Sequence, residues 1–174
     1  MQKRITIESI AKGLKSVKWR YRLEKVDENH KLMKLLPKNS ILYIDGAHNP
    51  HGAKAISDFL SLEQQKDNIS NYIINGRTKD TDSRSFLWQF LNNIKMAVAI
   101  RSTMEAIPES PEIIAKAGNE IGLKTLVAKS LEDAIKLILA FENNILEYSS
   151  IENIDNLKPV RIVICGSFYL AKLL

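Results

Sequence analysis

Residues 41–50, ILYIDGAHNP, decide the fold of this chain. The first four residues form an apolar run with the length of a buried strand. Residues 52–60 follow with apolar side chains at helical spacing. The stretch therefore predicts a strand, a polar turn and a helix. In a parallel α/β sheet such a turn lies at the carboxyl edge, which is where ligands bind.

Strands and helices alternate along the rest of the chain. Apolar runs predict strands at residues 71–75, 96–100, 124–128 and 160–165, and residues 23–26 are a candidate strand. Capping residues or a proline predict helices that begin at Thr6, Pro50, Asp82 or Ser83, Ser110, Ser130 and Gly166. The helix after Asp82 is expected to carry Phe86, Phe90 and Ile94 inward. This alternation predicts a doubly wound, mostly parallel α/β sheet with helices on both faces, and the polar residues 142–158 are expected to form a mobile insertion.

Bulk composition narrows the class of protein. The 174 residues suffice for one domain with a core, and a hydrophobic content of 45% is ordinary for a globular protein. The net charge of +5 comes from scattered Lys and Arg, which argues against nucleic acid and favours a site for an anionic ligand. No segment reaches the ~20 apolar residues of a membrane helix. The one cysteine, Cys165, fits a reducing, cytoplasmic location.

The turn after the first of these strands contains three candidate site residues. Asp45 and His48 place an acid and an imidazole in one solvated turn, and Asn49 directly precedes the helix. An aspartate in a turn also serves local hydrogen bonds, a histidine there also packs as a neutral side chain, and Asn49 suits an N-cap. The position at the carboxyl end of a strand favours ligand binding, although it leaves the structural roles open.

A second candidate turn follows the last predicted strand. Gly166-Ser167 opens a helix, and free backbone N–H groups at that position suit a phosphate or a carboxylate. An ordinary serine N-cap is the structural alternative. Cys165 is expected to be a small buried side chain.

Two further segments are rich in charge. Residues 76–82, GRTKDTD, are predicted to form a solvated loop in which Asp82 caps the next helix. Arg22 lies close to Trp19 and Tyr21 and suits either bidentate phosphate binding or packing on an aromatic ring. The sequence contains neither a G-x-x-x-x-G-K-[ST] loop nor a G-x-G-x-x-G turn, and no Cys/His spacing that suits zinc.

Three segments together resemble the C-terminal domain of folylpolyglutamate synthase and dihydrofolate synthase, within the Mur ligase superfamily. Residues 19–24, WRYRLE, are similar to the family's W-P-G-R-[LM]-E. Residues 45–50, DGAHNP, match the family's D-G-A-H-N-P, and residues 165–170, CGSFYL, are similar to its [TC]-G-S-[LF]-Y-L. Their order and separation also fit, so the resemblance covers essentially all of the chain and implies a Rossmann-like Mur ligase C-terminal fold.

The resemblance implies a reaction and a set of site residues. Family members use ATP to convert a folate carboxylate into an acyl phosphate, which the amino group of glutamate then attacks. Arg22 and His48 would be the catalytic residues, with Arg22 reaching the phosphates. Asp45, Asn49 and Ser167 would bind the cofactor or line the glutamate side of the cleft. No residue of this chain is expected to bind the metal.

The sequence departs from the family pattern in three places. Arg20-Tyr21 replaces Pro-Gly, Thr81 stands where the family has the lysine of D-K-D, and nothing corresponds to the N-terminal ATPase domain with its phosphate loop. We therefore expect residues 1–174 to be a single C-terminal-like domain, inactive alone, that works with ATP and Mg²⁺ only beside a complementary ATPase domain. A separate ATPase-domain chain is a candidate partner, and such a partner requires an exposed apolar patch. The alternatives are a nucleotide- or anion-binding module and a folded remnant without catalysis.

Overall fold

A single six-stranded sheet organises the molecule. The computed structural model describes residues 5–17, 19–79, 81–102, 107–146 and 153–173. The strands are β1 (Glu24–Lys25), β2 (Ile41–Ile44), β3 (Ser70–Asn75), β4 (Met96–Ala99), β5 (Thr125–Val127) and β6 (Val160–Cys165). Their order across the sheet is β1-β2-β6-β3-β4-β5. Only the two-residue β1 is antiparallel to its neighbour, so the predicted mostly parallel sheet is confirmed.

Helices cover both faces of this sheet. The α-helices are α1 (Ile7–Ser16), α2 (Pro50–Asp67), α3 (Ser83–Trp88), α4 (Pro111–Glu120) and α5 (Leu131–Glu142). Successive strand residues point to opposite faces, so Tyr72 and Ile74 pack in the core on the α5 side. Ile73 packs in the second core with α2, α3 and α4. The doubly wound arrangement follows from these two cores, and none of the helices in the described ranges is long and apolar enough to cross a membrane.

Polar residues begin the helices where the sequence predicts. The Thr6 and Ser9 side chains each accept from the other's backbone N–H, which forms a capping box for α1. Single side-chain caps from Asn49, Asp82, Ser110 and Ser130 begin the other four helices.

Several element boundaries differ from the prediction. α2 continues to Asp67, beyond residues 52–60 whose apolar spacing predicts it, and it ends where Asn68 adopts a left-handed conformation. α3 ends at Trp88, so Phe90 and Ile94 are buried as expected but lie in the turns that follow the helix. The last helix is a 3-10 helix, Phe168–Leu173.

The predicted insertion at residues 142–158 contains two different kinds of structure. Its first residue, Glu142, ends α5 and accepts hydrogen bonds from Ser70, Tyr72 and Lys95. A short 3-10 helix occupies Ile154–Asn156. Residues 147–152 lie outside the described residues, so the expected mobility stays a prediction.

Candidate functional site

Strand pairing brings the two candidate turns together. β2 and β6 are parallel neighbours in which Ile44 pairs with Ile164. Beyond this pair, the backbone N–H of Asp45 donates to the Ile164 carbonyl at 2.9 Å. The N–H of Gly166 donates to the Ala47 carbonyl at 2.8 Å. The turns that carry Asp45, His48 and Ser167 therefore lie side by side at the carboxyl edge, as the sequence predicts for a parallel sheet.

Asp45 ties the first turn to the segment that precedes β1. The carboxylate is 6% exposed. Its Oδ1 accepts from the Ala47 N–H at 2.7 Å, and its Oδ2 accepts from the Leu23 N–H at 2.8 Å. The two oxygens thus satisfy one buried and one partly buried backbone donor, which gives Asp45 a structural role whether or not it also meets a ligand.

Arg22 lies over this carboxylate. Its Nη1 is 3.8 Å from Asp45 Oδ1, and its Cζ lies 5.3 Å from the centroid of the Phe168 ring. The Arg22 side chain is 46% exposed, so its guanidinium can reach both solvent and a ligand. A pocket beside it is lined by Val17, Trp19, Arg20, Glu24 and Lys25. Phosphate binding and aromatic packing, the two roles left open by the sequence, are compatible in this geometry.

His48 is positioned by its own turn. Its Nδ1 lies 3.0 Å from the Gly46 carbonyl, which can only accept, so Nδ1 carries a proton. In the neutral tautomer with this proton, Nε2 is the acceptor. The ring lies 6.2 Å from that of Phe168. A Cβ on Gly46 would come within 2.3 Å of the Phe168 ring, so glycine lets the two turns approach this closely.

Asn49 and Ser167 both act as local caps. Asn49 Oδ1 accepts from the Gly52 N–H at 2.9 Å and begins α2. An asparagine keeps two N–H donors after its oxygen has capped a helix. Ser167 is buried, and its Oγ accepts from the Tyr169 N–H at 3.2 Å. The structure therefore places both residues at the site and gives both the structural function that the sequence left open.

Arg77 is a buried residue in contact with the His48 turn, and the sequence did not predict its position. The loop 76–82 was expected to be solvated, and Asp82 does cap α3 and has a pKa lowered by hydrogen bonds from Ser85. Arg77, however, is 1% exposed. Its Nη2 donates to the His48 carbonyl at 3.0 Å, its Nε donates to Thr81 Oγ1 at 3.1 Å, and its Cζ lies 4.2 Å from the Phe86 ring centroid.

The burial of Arg77 has an electrostatic consequence. Desolvation lowers the pKa of Arg77 to about 10, which still leaves the guanidinium charged at neutral pH. No sequence pattern marks this burial, because two acids and a second cation surround the residue in the chain. The apolar Phe86 nine positions later is the only hint that a guanidinium could stack there.

Cys165, a free and buried cysteine, is the last residue of β6. Burial raises the pKa of the Cys165 thiol, so it remains protonated, as expected for a small buried side chain. Within the described ranges, no group of three or more His, Cys, Asp or Glu side chains is placed to hold a metal ion. The side chains at this edge that could meet a ligand are the Arg22 guanidinium and the His48 ring.

Several solved structures that this chain resembles in fold are folylpolyglutamate synthases. The Mycobacterium tuberculosis folylpolyglutamate synthase complexed with ADP and AMPPCP matches with a TM-score of 0.66 and 19% identity, over 98% of this chain and 34% of that one. The bifunctional folylpolyglutamate synthase/dihydrofolate synthase of Yersinia pestis with AMPPNP and Mn ion matches with a TM-score of 0.64 and 18% identity, over 95% and 33%. The E. coli FolC structure with DHPP and ADP matches with a TM-score of 0.64 and 16% identity, over 95% and 33%. This chain spans about a third of the length of these proteins.

The family itself is shown by the sequence match. A search of curated proteins found no match. The family model described as dihydrofolate synthetase, C-terminal domain, matches residues 28–174. Because this match covers most of the sequence, the chain belongs to the family of dihydrofolate synthetase C-terminal domains.

Proposed function

We propose that this domain forms one wall of the active site of an ATP-dependent ligase that adds glutamate to a folate or to its pteroate precursor. The reaction would proceed through an acyl phosphate, and the opposite wall would hold ATP and Mg²⁺. The family match and the nucleotide-bound structural neighbours support this class of reaction. Alone, the domain would form no glutamyl bond.

The observation that carries the proposal is the cluster at the carboxyl edge. The pairing of β2 with β6 assembles Arg22, His48 and Ser167 from three separate segments of the chain. Arg22 would offset charge on the transferring phosphoryl group. His48 Nε2 would accept a proton or a hydrogen bond, and the buried Ser167 turn would supply donors for a carboxylate or phosphate.

The exposed side chains of α1 favour a partner domain over an independent binding module. Ile7 and Ile10 lie one turn apart and are 85% and 51% exposed, and Val17 and Trp19 beyond the helix are exposed as well. A run of exposed apolar side chains of this kind marks an interaction surface. Val17 and Trp19 line the pocket beside Arg22, so a domain bound to them would stand beside the site.

The test is a ligation assay with and without a complementary domain. The purified chain is incubated with ATP, Mg²⁺, labelled glutamate and either dihydropteroate or a reduced folate. A phosphate-loop domain encoded in the same genome is then added. We expect no product from the chain alone and product in one of the two substrate arms of the mixture, since only the mixture has both walls.

Substitutions in this chain, assayed in the same mixture, test whether Arg22 contributes to the reaction. Arg22→Ala should lower kcat at least about tenfold, because a charged hydrogen bond to the transition state is lost. Arg20→Ala removes a neighbouring exposed arginine and should leave kcat within about twofold. Product above a heat-killed control from the chain alone would show that the domain needs no partner. Equal losses in both variants would remove Arg22 from its role.

A further inference from the structure

Two arginines, Arg77 and Arg161, are buried among the described residues, and their surroundings differ. Arg161 on β6 is fully buried at the amino end of the strands. Its Nη2 pairs with the Asp67 carboxylate and its Nη1 donates to Asn71 Oδ1 at 3.1 Å, whereas its Nε has no partner among the described residues. Arg77 lies at the opposite, carboxyl edge and forms no ion pair with any residue in the described ranges. Its neighbours are a carbonyl, a hydroxyl and an aromatic ring.

An arginine without a counter-ion is unfavourable in such a place. A buried charge is stabilised when it is paired and hydrogen-bonded, and an unpaired one carries a desolvation penalty. Arg77 Nη1 is buried and has no hydrogen-bond partner among the described residues. The Asp82 carboxylate is exposed and acts on Arg77 only at a distance. Among the described residues Arg77 thus has no ion-pair partner, and desolvation outweighs the favourable action of the Asp82 and Glu109 carboxylates on its charge.

Other unsatisfied polar groups lie at the same edge. Among the buried side-chain polar atoms without a partner in the described residues are Asn75 Oδ1 at the end of β3, Ser83 Oγ at the start of α3, and Ser102 Oγ after β4. Asn75 is the last residue of β3, Ser83 is the first residue of α3, and Ser102 follows β4 by three residues. Unsatisfied buried groups in a native fold call for an explanation, and a ligand at this edge provides one.

We propose that Arg77 is the buried positive charge of an oxyanion site formed by the Asp45–Pro50 and Gly166–Ser167 turns. It acts as a positioning residue, because its guanidinium does not reach the surface. It holds the His48 turn through the 3.0 Å hydrogen bond from Nη2, and its charge attracts the anion through a low-dielectric interior. The anion is a phosphate group or a carboxylate. This oxyanion site lies at the same edge as the proposed ligase site, but anion binding there does not depend on ligase activity.

The experiment measures anion binding to the complete 174-residue chain by NMR. Inorganic pyrophosphate and glutamate are titrated separately at constant ionic strength, and the amide signals of Ala47, His48 and Gly166 are followed. Arg77→Gln keeps a donor for the His48 carbonyl and removes the positive charge. Arg77→Lys keeps the positive charge but loses the planar guanidinium with its several N–H donors. Arg84→Gln removes an exposed arginine from the neighbouring α3 and is the matched control.

The outcomes separate a charge effect from a purely structural one. We expect pyrophosphate or glutamate to shift these amides in the original chain, with affinity about tenfold weaker in Arg77→Gln and within about threefold in Arg77→Lys. Arg84→Gln should bind like the original chain. The arm that responds identifies the phosphate or the carboxylate as the ligand group. If neither anion shifts the amides, if Arg77→Gln binds normally, or if Arg77→Lys loses as much as Arg77→Gln, the inference is wrong.

If Arg77→Gln does not fold, Arg77→Lys still tests the inference. A lysine keeps the positive charge, so the inference requires this variant to retain anion binding. The result is also independent of the ligation assay. A chain that binds pyrophosphate through Arg77 and yields no ligation product in any mixture keeps this inference and loses the proposed function. The reverse result keeps the proposed function and assigns Arg77 to the fold alone.

Discussion

Replacing Asp45 with asparagine should loosen the site and destabilise the domain by a predictable amount. The carboxylate accepts two backbone N–H groups, from Ala47 at 2.7 Å and from Leu23 at 2.8 Å. Asparagine keeps one acceptor oxygen, but its amide N–H₂ then faces the other buried backbone donor. One charge-assisted hydrogen bond is lost, and a buried donor is left unpaired. We expect a loss of about 2–3 kcal/mol in the free energy of unfolding.

Urea unfolding measures this loss directly. With a slope of about 2 kcal/mol per molar urea for a domain of this size, the midpoint should fall by roughly 1 M. Asp58→Asn is the control, because Asp58 is exposed on α2 and its ion pair among the described residues is with Lys54 at 2.8 Å. It should lose about 0.5 kcal/mol or less. An Asp45→Asn midpoint that equals that of Asp58→Asn would refute the structural role of Asp45.

Two further substitutions test other parts of the fold. Gly166 and Gly122 both have positive φ, but of these two only Gly166 would place a Cβ against neighbours, at 2.3 Å from Asn75 Nδ2. Gly166→Ala should therefore lower the free energy of unfolding by about 3 kcal/mol, and Gly122→Ala by about 1 kcal/mol. Equal midpoints in urea would contradict the steric argument. At Glu142, burial raises the pKa, but hydrogen bonds from Lys95, Tyr72 and Ser70 outweigh it and hold the pKa below its ordinary value. Its stabilisation is therefore present above the unfolded-state pKa and is lost as pH falls through the folded-state value. Glu142→Gln should lower the unfolding free energy by about 1 kcal/mol at neutral pH and by much less near about pH 3. If the substitution costs the same at both pH values, the charge of Glu142 does not contribute to stability.

The architecture was predictable because local signals agree with the tertiary structure. Capping residues and strand-length apolar runs mark nearly every element, so the order of strands and helices fixes a parallel sheet. The boundaries were less predictable because packing decides them. α3 ends at Trp88, yet Phe90 and Ile94 still reach the core from the turns that follow. Apolar spacing alone cannot distinguish a helix from a chain of turns that buries the same side chains.

The site was predictable where residue type and topology coincide. Asp45, His48 and Ser167 follow strands that are parallel, so their shared edge could be derived before the structure. Arg77 could not be found in this way. Its neighbours in the chain are polar, which predicts exposure, whereas its burial depends on the Phe86 ring and on the His48 carbonyl. Contacts between distant segments decide whether a charged side chain in a loop is solvated or buried.

The Arg20-Tyr21 departure from the family motif has a structural explanation. Tyr21 has a φ of 60°, a conformation that glycine, the residue of the family motif at this position, adopts without strain. The strain of a tyrosine there is on the order of 1–2 kcal/mol. It is offset by the Tyr21 N–H, which donates to Glu24 Oε2 at 2.8 Å, and by the Gly46 N–H, which donates to the Tyr21 carbonyl at 2.8 Å. The partly buried Tyr21 ring also packs on the core. The backbone therefore keeps the turn that a glycine would allow, and Arg22 reaches Asp45 despite the changed residues.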